Sequence, residues 1–221
     1  MTQTTQPTLT DVHDMVVVHR AFRREFRLLP QLVRDVVAGD TSRAAVLASH
    51  ARLCLTGLHL HHTGEDELLW PKLLERDAPD ADLVERMEVQ HERVHDAISR
   101  LGPALHRWVA EARPAVTEEV ARGFETLYPA LIEHLDEEER SILPIAARLV
   151  TQDEWDELAD HSVAGMKKSE LPLMFGMLLE EATPAETAEM LAKLPFPVRV
   201  LARSVFLPRY RRYVSRTRGR R

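Results

Sequence analysis

Metal-ligating residue types recur in this sequence at a spacing of four residues. Three pairs share that spacing: His61 and Glu65, His91 and His95, His134 and Glu138. Residues four apart on a helix lie one above the other on the same face, so each pair presents two donor atoms in one direction. Imidazole and carboxylate donors paired in this way are typical of sites that bind a metal ion.

The pairs fall on apolar helical faces. His61 and Glu65, for example, continue a stripe that contains Leu58 and Leu68. Burying a free carboxylate costs several kcal/mol, so buried imidazoles and carboxylates together need a compensating cation. The candidate metal ligands are His19, His61, Glu65, His91, His95, His134 and Glu138. This set is too large for one tetrahedral ion and suits two ions that share carboxylates, with one position left open.

The donor types favour iron. Imidazole suits iron, copper, nickel and zinc, and carboxylate shifts the preference toward harder ions such as iron or manganese. The set contains no thiolate, which argues against copper(I) and iron–sulfur chemistry. His59 and His62 flank His61, and either is an alternative ligand or a partner that supports one. Neighbouring acids such as Asp66 and Glu139 are expected at the surface.

Four long helices must position these residues. Glycine is scarce, at 8 residues, and Ala, Leu, Glu and Arg are frequent, a composition that favours helix over sheet. Apolar residues three and four apart predict helix A from Thr10 to Gly39, helix B from Thr41 or Ser42 to RDAPD at 76–80, helix C from Pro79-Asp80 to Arg113-Pro114, and helix D from Thr117 to Ile145. Short connections make neighbours antiparallel, so the sequence predicts an all-α, up-down-up-down four-helix bundle.

The two halves of this bundle repeat one pattern. HHTGEDELLWP at residues 61–71 and HLDEEERSILP at residues 134–144 both place Glu at the fourth and Pro at the tenth position after the first His. One His on the first helix, HxxxE on the second, HxxxH on the third and HxxxE on the fourth form an ordered set. Over residues 11–150 this set resembles the hemerythrin family, specifically the HHE cation-binding domains of bacteria.

The resemblance implies two non-haem iron ions. It implies one iron on His91, His95 and His134, a second on His19 and His61, and bridges from Glu65 and Glu138. An open position on the second iron is then expected to bind dioxygen, peroxide or nitric oxide, and the electron donor is unknown. The oxygen-carrying hemerythrins place Asp five residues after the last His, where this chain has Glu138 at the fourth position and Glu139 at the fifth. This departure bears more on reversible oxygen transport than on metal binding.

A C-terminal helical extension, residues 151–221, is expected to follow a bundle domain of residues 1–150. Thr151 lies three residues before Glu154, an arrangement that caps a helix, and proline punctuates two or three further short helices. From Leu191 to Arg221 the chain has nine arginines, one lysine and no acid, so this end carries +10 and the first 190 residues carry −16. The basic end is expected to pack on the acidic bundle or to contact an anionic membrane, nucleic acid or an acidic protein.

The sequence therefore predicts a non-haem di-iron protein that binds or reacts with dioxygen, peroxide or nitric oxide. If it turns over, it is a peroxide- or nitric-oxide-processing oxidoreductase. Two alternatives are a non-catalytic sensor, carrier or storage module for oxygen, nitric oxide or iron, and a metal-free helical interaction domain. The single cysteine, Cys54, cannot form an internal disulfide, and neither a secretory signal nor a membrane-spanning apolar run is present, which predicts a soluble cytoplasmic protein.

Overall fold

The computed structural model of this chain describes residues 9–76 and 81–219, which are helical and contain no β-strand. The first six α-helices are α1 (His13–Arg34), α2 (Thr41–Gly64), α3 (Trp70–Arg76), α4 (Ala81–Glu111), α5 (Pro114–Glu137) and α6 (Leu143–Leu149). A π-helical turn joins α2 to α3 and another joins α5 to α6, so the six helices form four long rods. This confirms the predicted all-α, hemerythrin-like bundle.

The four rods close around one interior. α1 packs on α2, α2 on α4, α4 on α5, and α5 back on α1. Two apolar clusters fill the interior, one around Phe26 and Trp108 and the other around Trp70 and Met87. The candidate ligands lie between the two clusters; His91 on α4, for example, separates Met87 of one from Val94 of the other. Apolar layers on both sides therefore enclose the polar residues.

A proline lies two residues after each π-helical turn within the rods. Proline has no N–H to donate and its ring crowds the carbonyl four residues earlier, so a regular α-helix is disfavoured just before Pro71 and Pro144. The turns Glu65–Leu69 and Glu138–Ile142 widen the helix instead, and Trp70 N–H bonds to the carbonyl of Glu65, five residues back. Each π turn begins at a candidate ligand, in keeping with the frequent occurrence of such turns at functional sites.

The predicted helix boundaries are only partly correct. Helix α2 begins at Thr41, one of the two predicted starts, and its N-cap is Asp40, whose carboxylate accepts a hydrogen bond of 2.8 Å from Arg43 N–H. α5 begins at Pro114 and not at Thr117, because proline suits the first helical position, where no N–H is needed. The predicted end of helix B and start of helix C fall on residues 77–80, outside the described residues.

The extension consists of further short helices laid against the bundle. They are α7 (Gln152–Gly165), α8 (Leu171–Glu181), α9 (Pro184–Ala192), α10 (Phe196–Leu201) and α11 (Leu207–Thr217), with a π turn between the last two. The predicted cap is confirmed, because Thr151 and Glu154 form a reciprocal capping box at the start of α7. α7 packs on α2, α8 on α1, and α11 on both α8 and α2.

One face of the basic C-terminal segment is tied to its own chain. The Tyr213 hydroxyl lies 2.7 Å from His50 Nδ1, and the Arg218 guanidinium pairs with Glu25 of α1 and Glu180 of α8. Other arginines of this segment are exposed: Arg203, Arg209, Arg211, Arg212 and Arg216. Among the described residues, no helix is both long enough and apolar enough to cross a membrane.

Candidate metal centre

Two groups of buried donor residues meet in the interior of the bundle. The first contains His19, His61, Glu65 and Glu138, and the second contains His62, His91 and His134. Within each group, the donor atoms all lie within 4.8 Å of one another. All four rods contribute, so the folded bundle brings together residues that are far apart in the chain.

The first group has the spacing of ligands around a common centre. His19 Nε2 lies 3.2 Å from His61 Nε2 and 3.2 Å from Glu138 Oε2. Glu65 Oε1 lies 3.3 Å from His61 Nδ1. Donors bound about 2.1 Å from one ion, at angles near 90–110°, lie about 3.0–3.4 Å apart. The separations of His19 Nε2 from His61 Nε2 and from Glu138 Oε2 fall in that range, so these three residues fit a metal ion. Glu65 approaches the other ring nitrogen of His61 and completes the group of donors that lie within 4.8 Å of one another.

The second group is built from three imidazoles. His91 Nε2 lies 3.2 Å from His134 Nε2, and the His62 ring stacks on the His91 ring with centroids 4.1 Å apart. The carboxylates of the first group also reach this one. Glu65 Oε2 lies 3.3 Å from His91 Nε2, and Glu138 Oε2 lies 3.6 Å from His134 Nε2. Both carboxylates therefore stand between the two groups.

The same carboxylates are buried without hydrogen bonds. Glu65 and Glu138 are both 0% exposed, and none of their four oxygens has a hydrogen-bond partner among the described residues. His62 Nε2 is buried and unpartnered as well. Native interiors satisfy nearly all buried polar atoms, and an unsatisfied buried carboxylate costs several kcal/mol. A cation held between these atoms removes that cost.

The pKa values of the two buried carboxylates are shifted in opposite directions. Burial, together with the nearby Glu138 carboxylate, raises the pKa of Glu65 to about 8. Burial also opposes ionisation of Glu138, but the facing His19 and the further imidazoles lower its pKa well below the ordinary value. Near neutral pH, one carboxylate of the pair therefore keeps a proton unless further positive charge enters.

Most of the imidazoles are kept neutral, which is the form that binds metal. Burial lowers the pKa of His134 to about 3, and burial lowers the pKa values of His61 and His62 well below the ordinary value. His19 and His91 behave differently. Burial also lowers their pKa values, but carboxylate partners outweigh it and raise each to about 9. These two residues must give up a proton before they bind an ion.

Two acidic residues orient the imidazoles from outside the donor groups. Asp66 accepts a hydrogen bond of 2.7 Å from His91 Nδ1, and Glu139 accepts one of 2.9 Å from His19 Nδ1. Each bond leaves the Nε2 lone pair directed into the interior. Asp66 is exposed, as expected, and Glu139 is partly buried, but the sequence did not predict that either acid supports an imidazole. The internal repeat contains the missed signal, since each acid directly follows one of the buried glutamates.

The structure brings six of the seven predicted ligands together and leaves out His95. His95 is exposed and lies near His59 and Ser99 at the solvent side of α4. The buried face of α4 is narrow and centred on Met87, His91 and Val94, which leaves His95 at its edge. His62, which lies on α2, is instead the third histidine beside His91 and His134. The adjacent histidines 61 and 62 had marked this alternative, but sequence alone did not choose between them.

A third buried cluster, Glu25, His50 and Cys54, also has the residue types of a metal site. In this cluster the negative charge of the Glu25 carboxylate is already balanced by neighbouring side chains. Arg24 and Arg218 both pair with Glu25, and His50 Nε2 lies 3.1 Å from its second oxygen. These pairs join α1 and α2 to the C-terminal end of the chain. The cluster therefore serves packing, in contrast to the carboxylates of the donor groups.

The fold and the donor groups define a cation-binding helical bundle. Residues 10–146 match the family described as the Hemerythrin HHE cation binding domain, which is more than half of the chain. The chain belongs to this family. No match to the chain is found among curated proteins or among solved structures.

Proposed function

We propose that this protein holds two non-haem iron ions and binds or reacts with a small oxygen or nitrogen species, namely dioxygen, peroxide or nitric oxide. The observation that carries the proposal is the pair of buried carboxylates, Glu65 and Glu138, whose oxygens have no hydrogen-bond partner and face imidazoles of both groups. Mixed imidazole and carboxylate ligation favours iron among the transition metals. Two ions would satisfy the buried donor atoms of both groups, whereas a single ion would satisfy only about half of them.

The proposed ligand assignment follows the two groups. His62, His91 and His134 would hold one ion and His19 and His61 the other, and Glu65 and Glu138, which approach imidazoles of both groups, would supply the carboxylate ligands. When bound, the ions supply one-electron redox chemistry and an open coordination position for the small molecule. The second group offers three imidazoles and the first offers two, so the open position is assigned to the ion on His19 and His61.

The remaining residues prepare the site for that chemistry. Asp66 and Glu139 hold the Nδ1 protons of His91 and His19 and fix the direction of both rings. The two apolar clusters above and below the site exclude water from those two sides. Burial and the nearby Glu138 carboxylate raise the pKa of Glu65 to about 8, and the positive charge of bound ions would favour its ionised, metal-binding form.

The spectrum of iron-loaded protein tests the proposed reactivity. The anaerobically reduced protein should gain near-ultraviolet and visible bands when air, nitric oxide or peroxide is admitted, and a His61→Ala variant treated identically should not. Bands that reverse on removal of oxygen indicate a carrier or sensor. Oxygen release from peroxide faster than in free-iron controls indicates an enzyme. Iron-loaded protein whose spectrum responds to none of the three would contradict the proposal.

We also propose a cytoplasmic location. The chain has one cysteine, and Cys54 is a buried thiol. Burial, with the Glu25 carboxylate nearby, raises its pKa well above the ordinary value, so the group stays an unreactive thiol that needs no oxidising compartment. Fractionation of producing cells checks this proposal, and recovery in a secreted or periplasmic fraction would contradict it.

A further inference from the structure

A large apolar cavity opens onto one side of the candidate metal centre. Its volume is about 460 Å³, and its walls come from α1 and α2 of the bundle and from α7, α8 and the segments after α9 in the extension. Two of the donor residues, His61 and Glu65, line it. Both belong to the group to which the open coordination position is assigned. The extension thus encloses the open side of the site.

The cavity is far larger than a diatomic molecule or peroxide requires. A cavity of about 150 Å³ with apolar walls already binds benzene, so this one accommodates on the order of 15 to 20 non-hydrogen atoms. Its walls are mainly aliphatic and aromatic, and three methionines, Met15, Met166 and Met174, supply adaptable surface. Its size and lining are those of a site for an organic molecule.

The polar groups of the cavity are few and unevenly placed. Asp14 is already paired, because its Oδ1 accepts a hydrogen bond of 2.9 Å from Trp155 Nε1. Glu65 is fully buried and its oxygens have no hydrogen-bond partner. Lys168 is exposed at the mouth and forms no ion pair with any other residue that the structure describes. The cavity thus has a cation at its entrance, apolar walls, and donor groups at its buried end.

From this arrangement we propose that the cavity binds an anionic amphiphile of the medium-chain fatty acid class, with its carboxylate at Lys168 and its hydrocarbon chain directed toward His61 and Glu65. The inference rests on the proposed function only in taking those two residues as metal ligands. The bound chain fills apolar space that is otherwise exposed to water, and the lysine neutralises the acid group. The small molecule of the proposed function then meets an organic compound beside the metal centre.

Dodecanoate, used below its micelle concentration, is the probe. Calorimetric titration of the full chain should show saturable binding. A double variant, Ala159→Phe/Ser162→Phe, adds bulk to the cavity wall and should weaken binding about tenfold or more, and Lys168→Met should weaken it by a smaller factor. Ala164→Phe on the same helix is the matched control, because Ala164 is exposed and does not line the cavity. Each variant is checked for unchanged helical content and melting temperature.

Metal-loaded and chelator-treated protein are titrated in parallel, so that the two proposals fail separately. Binding that is present with and without metal, and weakened by the double variant, supports the cavity assignment whatever the metal content. Protein that binds two ions but shows no saturable dodecanoate binding would overturn the inference and leave the proposed function standing. Binding that the double variant leaves unchanged would also overturn it, since the probe would then adsorb elsewhere.

Discussion

Glu65 and Glu138 dominate the electrostatics of the bundle interior. Each is fully buried between imidazoles of two groups, and their pKa values are shifted in opposite directions: burial and the Glu138 carboxylate raise that of Glu65, whereas the facing His19 outweighs burial and lowers that of Glu138. Replacing either by an apolar residue relieves a cost in the metal-free fold and removes a bridge from the metal site. The same substitution can therefore stabilise the metal-free fold and weaken the metal-bound one, so a change in fold stability does not identify a ligand. A change in metal content does.

Two histidines of similar appearance in the sequence should behave oppositely when replaced. His62 is buried beside His91 and His134, whereas His95 is exposed on the solvent side of α4. We expect His62→Ala to lose one of the two proposed ions and His95→Ala to keep both. Elemental analysis after dialysis measures the ions per chain. Equal metal content in the two variants would refute the assignment of His62.

The acids that orient the imidazoles should tune affinity without being ligands. We expect Asp66→Asn and Glu139→Gln each to weaken metal binding about 10- to 100-fold, because His91 and His19 lose the acceptor that fixes their rings. Competition with a chromophoric chelator measures the change. Glu67→Gln is the matched control, since Glu67 is an exposed neighbour of Asp66. An affinity as high as that of this control would show that the hydrogen bonds do not support the site.

Periodicity in the sequence was enough to predict the helical elements and most of the site. Four rods, their antiparallel order and six of the seven buried donor residues follow from residues three and four apart. The exceptions arise where packing decides the edge of a face. The narrow buried face of α4 leaves His95 exposed, whereas His62 is buried on α2, and neither outcome is visible in residue spacing. The role of Asp66 and Glu139 depends on contacts between rods, which one sequence does not contain.

The junction between the bundle and the C-terminal helices should respond to acid. Burial opposes ionisation of Glu25, but His50, Arg218 and Arg24 outweigh it and lower its pKa from 4.5 to about 2. A lowered pKa adds stability above pH 4.5, and this stability is lost as pH falls toward 2. In urea unfolding of metal-free protein, Glu25→Gln should therefore lose stability less steeply than wild type over that range.

A matched control separates this effect from general acid denaturation. Glu85 is exposed on α4, and Glu85→Gln should follow the wild-type pH dependence. If Glu25→Gln does the same, the buried ion pairs do not stabilise the junction.

Across the whole molecule, charge is divided between an acidic bundle and a basic C-terminal segment. The inner face of that segment packs on α2 and α8, while its outer arginines and several apolar residues are exposed: Phe196, Val200, Leu201 and Val205. Arginines interleaved with exposed apolar side chains suit an anionic lipid surface. Contact with an anionic partner stays a prediction, and the exposed residues make a vesicle the first partner to test.

Co-sedimentation with vesicles of anionic lipid checks this prediction. Wild type should bind, and replacing Arg203, Arg209, Arg212 and Arg216 by Gln should abolish binding. The matched control replaces four exposed arginines of α4 and α5: Arg93, Arg100, Arg107 and Arg122. A shift of duplex DNA without vesicle binding would indicate nucleic acid instead, and wild type that binds neither would show that the basic segment serves only its own chain.

Metal stoichiometry tests the di-iron centre most directly. Protein produced with ample iron, dialysed and analysed for metal and protein should contain about two ions per chain, and chelation should lower its melting temperature, because an ion that binds only the folded state stabilises it. Protein that retains no metal after such loading, and whose melting temperature a chelator does not change, would contradict the assignment. The seven buried donors would then be polar residues of an ordinary helical core.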